Sequence, residues 1–173
     1  MDGHLEKTIT TLKERFALQD GTTKYPACLV ATPEQIVDVA RTLRDELGFN
    51  LLSDITAVDY YPEQTPRFHV VYNFYSLEHN VRVCLRVPLD GSNPTVHTLE
   101  GLYHSANWQE RELWDMFGIH IEAHSDLRRV LMPYDWVGHP LRKDYPLGYE
   151  EPQFTFNFDE IERRKHKARY EEA

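Results

Sequence analysis

The sequence has few cysteines for its length. Among its 173 residues only Cys28 and Cys84 carry thiols, 56 positions apart and outside any CxxC pair. A disulfide-stapled scaffold or an iron–sulfur protein needs more thiols at closer spacing. We therefore expect two small, buried side chains in a reducing compartment.

Long apolar runs are also missing. The longest, Ala27 to Ala31, has five residues, whereas a transmembrane helix needs about 20. The first residues contain neither the basic nor the apolar region of a signal peptide. We expect no membrane span, and a protein that stays in the compartment where it is made.

Positive charge is in the minority, and the common catalytic motifs are absent. Nineteen Lys and Arg residues against 28 Asp and Glu give a net charge of −9, which repels a phosphate backbone and argues against nucleic acid as a partner. The chain has no GxSxG, GxGxxG or GxxxxGK[ST] motif. A serine-hydrolase elbow and the usual nucleotide cradles are thereby excluded in their standard form.

Clear hydrophobic periodicity marks the first half of the chain. Helical spacing of apolar residues predicts helices over Leu5–Leu18 and from Pro33 to Leu47, the second with a Thr32/Gln35 capping box and a stop at Gly48. Strict alternation then predicts a hairpin of strands 67–77 and 81–87, preceded by a strand at 51–61.

These elements suggest one fold class. A short helix around Thr95–Tyr103 and another over Ala106–Phe117 follow the strands. We predict an α+β domain over residues 1–122, with an antiparallel-dominated sheet and helices packed on one face.

The remaining residues, 123–173, follow a different pattern. Prolines at 133, 140, 146 and 152 prevent a long helix, yet the segment is rich in aromatic residues. We interpret it as an extended, proline-punctuated arm. From composition alone it either contacts a partner protein or straps over its own core, and we favour the partner because aromatic residues and Arg dominate interface hot spots.

Two clusters of polar residues invite a functional reading. Glu112, Asp115, His120 and His124 could form a metal-dependent enzyme site, but Gly118 breaks their shared helical face, and we expect Arg111 to neutralise Asp115 as a surface ion pair. Farther on, Arg142 and Lys143 either bind an anion or form a rigid turn in which they pair with Asp144 or with the acidic middle of the chain, residues 51–123. We favour the ion pairs at both places.

A longer pattern points to a family. The stretch ERELWDMFGI at 110–119, followed by His124, Arg128 and the run LMPYDW at 131–136, resembles the C subunit of proton-pumping NADH:quinone oxidoreductase, respiratory complex I. So do GHPLRKDYPL at 138–147 and QFT at 153–155. The likeness is dense from Asn107 to Thr155 and looser from Leu29, where it includes SDITAVDY at 53–60.

The resemblance implies a role that composition cannot show. It implies a cofactor-free scaffold in the hydrophilic, quinone-reducing arm, with FMN, iron–sulfur clusters and quinone held by other subunits. It also implies a peripheral position on the cytoplasmic side of the cell membrane, with the C-terminal arm against the D subunit, the neighbour at the quinone site. The alternative is the homologous subunit of a membrane-bound hydrogenase or other donor-specific relative. The expected interface residues are Arg128, Tyr134, Trp136, His139, Arg142, Lys143, Tyr145 and Phe154.

Overall fold

A computed structural model describes residues 3–21 and 28–146. In chain order the elements are α1 (Gly3–Phe16), β1 (Gln19–Asp20), β2 (Cys28–Val30), α2 (Ile36–Asp45), β3 (Leu51–Asp59), β4 (Phe68–Ser76), β5 (Val81–Leu89), β6 (Thr95–His97), α3 (Ala106–Phe117) and β7 (His120–Glu122). The predicted α+β class is confirmed. No helix in these two ranges is long and apolar enough to cross a bilayer.

The main sheet has five strands in the order β1-β2-β5-β4-β3. The β3–β4 and β4–β5 pairs are antiparallel, as predicted, while β2 joins β5 in parallel. The long β4–β5 hairpin arises from strict alternation: every second residue, from Phe68 to Ser76 and from Val81 to Leu89, is buried.

The three helices share one core with the inward face of this sheet. Leu12 of α1, Leu43 of α2 and Leu113 of α3 belong to the same buried cluster as Tyr72 and Leu85 of the sheet. Because burial of apolar area is the main favourable term in folding, this shared core fixes α3 against the sheet. The carboxyl end of α3 thereby becomes a rigid base for the chain that follows.

Two predictions about helices are wrong. Helix α2 begins at Ile36, with Gln35 at its N-cap and no side-chain cap bond, and not at Pro33 behind a Thr32 cap. Residues 95–97 form β6, which pairs in parallel with β7, and not the start of a helix. Only a single turn follows, in which the N–H groups of Leu102 and Tyr103 both donate to the carbonyl of Leu99. Thr95 and Val96 favour extended backbone through their branched side chains, and the partner strand lies 25 residues downstream.

Candidate protein–protein interface

The end of helix α3 allows the later residues of the arm to pack closely against it. Gly118 adopts the left-handed conformation with φ of +70°, and its N–H donates to the carbonyl of Trp114 at 2.9 Å. A Cβ placed on Gly118 would lie 2.5 Å from the ring of His139. Glycine is required here twice, for the backbone angle and for the approach of His139.

The buried carboxylate of Asp115 holds the start of the arm. Its Oδ2 accepts the backbone N–H groups of Val130, Leu131 and Met132 at 2.9, 2.8 and 2.9 Å, and its Oδ1 accepts from Arg129. Burial alone would raise the pKa of Asp115, but these donors lower it below its ordinary value. An ionised carboxylate thus fixes four consecutive residues of an irregular segment.

Two arginines complete this first anchor. Arg129 donates through Nη2 to the carbonyl oxygens of Trp136 and Gly138, at 2.8 and 3.0 Å. Arg111 donates to the carbonyl oxygens of Arg128 and Arg129, at 3.1 and 3.3 Å. The predicted surface pair of Arg111 with Asp115 is therefore wrong: Asp115 is fully buried and its ion-pair partner is Arg129, which a helix-spacing argument cannot reach.

The backbone at the end of α3 binds the arm a second time, ten residues after Arg129. The Nδ1 of His139 lies 3.0 Å from the carbonyl oxygen of Asp115, and the N–H of Leu141 donates to the carbonyl of Met116 at 3.0 Å. Burial lowers the pKa of His139, which favours a neutral ring that donates from Nδ1. The last carbonyls of the helix thus find partners in the arm, as helix ends require.

A second anchor lies at the edge of the sheet. The guanidinium of Arg67 donates to Asp59 through Nε and Nη2, each at 2.9 Å, and to Asp144 at 2.7 and 2.9 Å. Asp59 also accepts the N–H of Lys143 at 2.8 Å. The ion-pair partner of Asp144 is thus Arg67, which directly precedes β4 and binds the carboxylate through two nitrogens. Arg142 acts on Asp144 only electrostatically, and Lys143 meets the acidic middle of the chain through its backbone N–H on Asp59 and not through its side chain.

The surroundings of this second anchor stabilise the ionised forms of Asp59 and Asp144. Burial alone would raise the pKa of Asp59, but hydrogen bonds from Arg67, Lys143 and Tyr61 lower it to about 2. The pKa of Asp144 is lowered chiefly by its hydrogen bonds from Arg67. Ionised groups of the domain therefore hold the arm at residues 129–132 and again at residues 143–144.

Large apolar side chains remain on the outside of this anchored segment. Of the nine large hydrophobic residues exposed in the described part of the chain, five lie between positions 131 and 141: Leu131, Tyr134, Trp136, Val137 and Leu141. Tyr134 is 94% exposed and Leu131 is 60% exposed. We call these five residues the arm patch. Trp108, also exposed, lies on α3 with its ring 4.6 Å from the Arg111 guanidinium.

The residues expected at an interface divide into two groups. Arg128, Tyr134, Trp136 and Lys143 are exposed on the arm. His139, Arg142 and Tyr145 are partly buried: His139 contacts Asp115, the Arg142 guanidinium lies 5.2 Å from the Phe68 ring centre, and Tyr145 donates to the carbonyl of Val137. Phe154 lies outside the described residues. That these residues meet a partner stays a prediction.

Sequence reasoning missed three members of the arm patch. Leu131, Val137 and Leu141 carry no periodic signal, so nothing in the pattern distinguished them from core residues.

The proposed metal cluster is not brought together. Asp115 is fully occupied by the arm, Glu112 is exposed, and His124 lies between Glu100 and Glu110, at 3.8 and 4.0 Å. Within residues 3–21 and 28–146, no group of three or more His, Cys, Asp or Glu side chains has a geometry that could hold a metal ion.

Comparisons with known proteins agree with the resemblance. Residues 29–151 match the family described as respiratory-chain NADH dehydrogenase, 30 kDa subunit. The C subunit of an NADH-quinone oxidoreductase from Roseiflexus sp. (strain RS-1) is 56% identical over 131 residues, 75% of each chain. The protein of the same name from Geobacter sulfurreducens is 43% identical over 144 residues, 82% of this chain and 89% of that one.

Solved structures extend the comparison. The trypsin-resistant fragment of Nqo5 superposes with a TM-score of 0.64 at 32% identity, covering 72% of this chain and 99% of that one. A chain of an archaeal membrane-bound sulfane sulfur reductase has a TM-score of 0.65 at 20% identity, over 97% and 95% of the two chains, and shares the fold. The chain belongs to the family of the 30 kDa subunit of respiratory-chain NADH dehydrogenase.

Proposed function

We propose that this chain is a cofactor-free scaffold in the quinone-reducing part of NADH:quinone oxidoreductase, and that its arm patch docks on the neighbouring D subunit at the quinone site. Membership of the family makes the chain a component of that enzyme complex. The proposal adds the partner and the contact surface. It also divides the chain into a domain, residues 1–122, and an arm, residues 123–173, that serves the contact.

The observation that carries the proposal is the opposite orientation of backbone and side chains in the arm. Asp115, Arg129 and Arg111 bind backbone groups of the arm from inside, while the side chains of Leu131 and Tyr134 point away from the domain. Five of the nine exposed large hydrophobic residues in the described part of the chain lie within eleven positions of the arm, and exposed apolar surface is what protein contacts bury. Ordered aromatic residues of this type form hot spots when a partner desolvates them.

A fixed backbone at residues 129–144 also suits a scaffold. A backbone that is already held in place loses less conformational freedom on binding, so more of the contact energy appears as affinity. In this proposal electron transfer from FMN through iron–sulfur clusters to quinone takes place in partner subunits. The chain keeps those partners at a fixed separation, from a peripheral position on the cytoplasmic side of the cell membrane.

Co-purification of the tagged full chain from its native membranes in mild detergent tests this proposal. We expect the D subunit and the flavin- and cluster-bearing subunits to be recovered, with NADH-driven quinone reduction in the eluate. Cross-links from Lys143 to the D subunit would place the arm at that contact. Recovery of a nickel-site subunit in their place would assign the chain to a hydrogenase relative, and recovery of the chain alone would refute the scaffold role.

A further inference from the structure

The two cysteines, far apart in sequence, lie side by side in the sheet. Cys28 of β2 and Cys84 of β5 are direct register partners in the parallel pair, and their Sγ atoms are 3.1 Å apart. Neighbouring strands are about 4.8 Å apart, within the range of Cα separations that disulfides span, and an S–S bond measures about 2.05 Å. We propose that Cys28 and Cys84 are a redox modification site, which a peroxide converts to an intrachain disulfide.

The pair has an outer and an inner thiol. Cys84 is partly exposed on the outer face of the sheet, between the inward-facing Val83 and Leu85, whereas Cys28 is 3% exposed. Arg86, two residues farther on the same face, favours the thiolate of Cys84. The hydrogen bond with Cys28 and burial outweigh it and raise the pKa of Cys84. The reaction begins at Cys84, because it is the more accessible of the two thiols.

The chemistry needs only a peroxide as the oxidant. The thiolate of Cys84 attacks one oxygen of hydrogen peroxide, the O–O bond breaks, and the products are a sulfenic acid and hydroxide. The sulfur of Cys28 then attacks the sulfur of Cys84. The S–S bond forms, the S–O bond breaks, and the departing hydroxide takes the thiol proton of Cys28 and leaves as water. Two thiols are oxidised by two electrons and one peroxide is reduced to two waters.

A disulfide between Cys28 and Cys84 would change how β2 is attached to the sheet. β2 has three residues and joins the rest of the main sheet through β5. A Cys28–Cys84 bond would close a covalent loop that contains α2, β3 and β4, most of the sheet core. Closing a loop of this length reduces the entropy of the unfolded chain, so we expect oxidation to raise the melting temperature. This inference does not depend on the proposed partner.

The full-length purified chain tests the inference directly, because it has only these 2 cysteines. After incubation with hydrogen peroxide and quenching, free thiols are titrated in denaturant and the tryptic peptides are analysed by mass. We expect both thiols to disappear and peptides 25–41 and 83–86 to be linked, about 2 Da below their summed mass. Dithiothreitol should restore both thiols and reverse the rise in melting temperature.

Single substitutions make the test specific. In the Cys28→Ser variant, peroxide should leave an oxygen adduct on Cys84, because the resolving thiol is gone. In Cys84→Ser, Cys28 should remain a thiol through the same exposure. The inference is overturned if the wild-type chain accumulates oxygen on Cys84 while Cys28 stays reduced, if it forms only disulfides between chains, or if both thiols survive conditions that oxidise Cys84 in the Cys28→Ser variant.

Discussion

Asp115 and Arg129 form an ion pair that belongs to the domain on one side and to the arm on the other. The carboxylate is fully buried in α3, while the guanidinium reaches past it to the carbonyl oxygens of Trp136 and Gly138. One pair of side chains therefore sets the path of the backbone from residue 129 to residue 138. The exposed positions of the arm patch follow from that path.

Replacing Asp115 with Asn should loosen the arm and destabilise the chain. The amide retains one acceptor oxygen for three N–H groups and leaves Arg129 without its counter-charge. Removing one partner of a largely buried pair costs a few kcal/mol, so we expect a loss of about 2–4 kcal/mol in the free energy of unfolding, measured in urea. Trypsin should then cut sooner after Arg128 and Arg129. Glu112→Gln, an exposed change on the same helix, should alter neither measurement.

Because of Asp59, the free energy of unfolding of the chain should fall at acid pH. Its pKa is about 2 in the folded chain against an ordinary value of 3.8, so the folded state prefers the ionised form. The resulting stabilisation, on the order of 2 kcal/mol, is complete above about pH 4 and is lost as the pH falls towards 2. Unfolding free energies from pH 6 to pH 2 measure it.

Two variants separate this effect from general acid sensitivity. Asp59→Asn should be less stable at pH 6 and should show a shallower decline between pH 4 and pH 2. Asp38→Asn, which alters an exposed pair on α2, should follow the wild-type curve. Parallel curves for the wild type and Asp59→Asn would show that Asp59 does not hold the arm in its ionised form.

Gly118 should not tolerate a methyl group. An alanine there must adopt a positive φ, at a cost of about 1–2 kcal/mol, and its Cβ would lie 2.5 Å from the His139 ring. We expect a fall in melting temperature larger than the backbone cost alone, because His139 must move and give up its contact with Asp115. Gly101→Ala has no atom within 4 Å of the new Cβ and should melt close to the wild type.

Arg128 and Arg142 should contribute less to the stability of the isolated chain than to assembly. Arg128 makes an exposed ion pair with Asp126, which is worth about 1 kcal/mol or less. Arg142 lies 5.2 Å from the centre of the fully buried Phe68 ring, a contact worth about 1–2 kcal/mol. Arg128→Ala should leave the urea midpoint nearly unchanged and Arg142→Ala should lower it slightly, while both weaken assembly into the complex. If the two variants lost stability and assembly to the same extent, the arm would serve the fold of the chain and not a contact with a partner.

Much of the fold could be predicted because it depends on local pattern. The prediction agrees with the alternating burial from Phe68 to Ser76 and with the left-handed Gly48, whose φ is +72°. It also agrees with the buried positions of α2 and of the turn after it: Ile36, Ala40, Leu43 and Leu47. In these elements each residue's environment is set by neighbours two to four positions away. Local periodicity is then enough.

The missed features depend on contacts between distant residues. β6 exists through its pairing with β7, and Cys28 meets Cys84 because β2 crosses over to join β5 in parallel. Asp115 looked like a surface residue because its partners, the N–H groups of residues 130–132, carry no side-chain signature. Backbone donors are identical in every non-proline residue, so a sequence pattern cannot single them out.

The most direct test of the account is a comparison of two matched leucines in the assembled complex. Leu131 lies in the arm patch and is 60% exposed, whereas Leu77, at the turn between β4 and β5, is 62% exposed. Each leucine is changed to serine in the copy of the chain that the cell assembles into the complex. The complex is then purified and assayed for NADH-driven quinone reduction. We predict that Leu131→Ser lowers the yield of complex containing the D subunit at least tenfold, about 1.4 kcal/mol of contact energy, while Leu77→Ser assembles normally and both isolated chains melt alike. Normal assembly with Leu131→Ser, or an equal loss with both variants, would contradict the assignment of the arm patch as the contact surface.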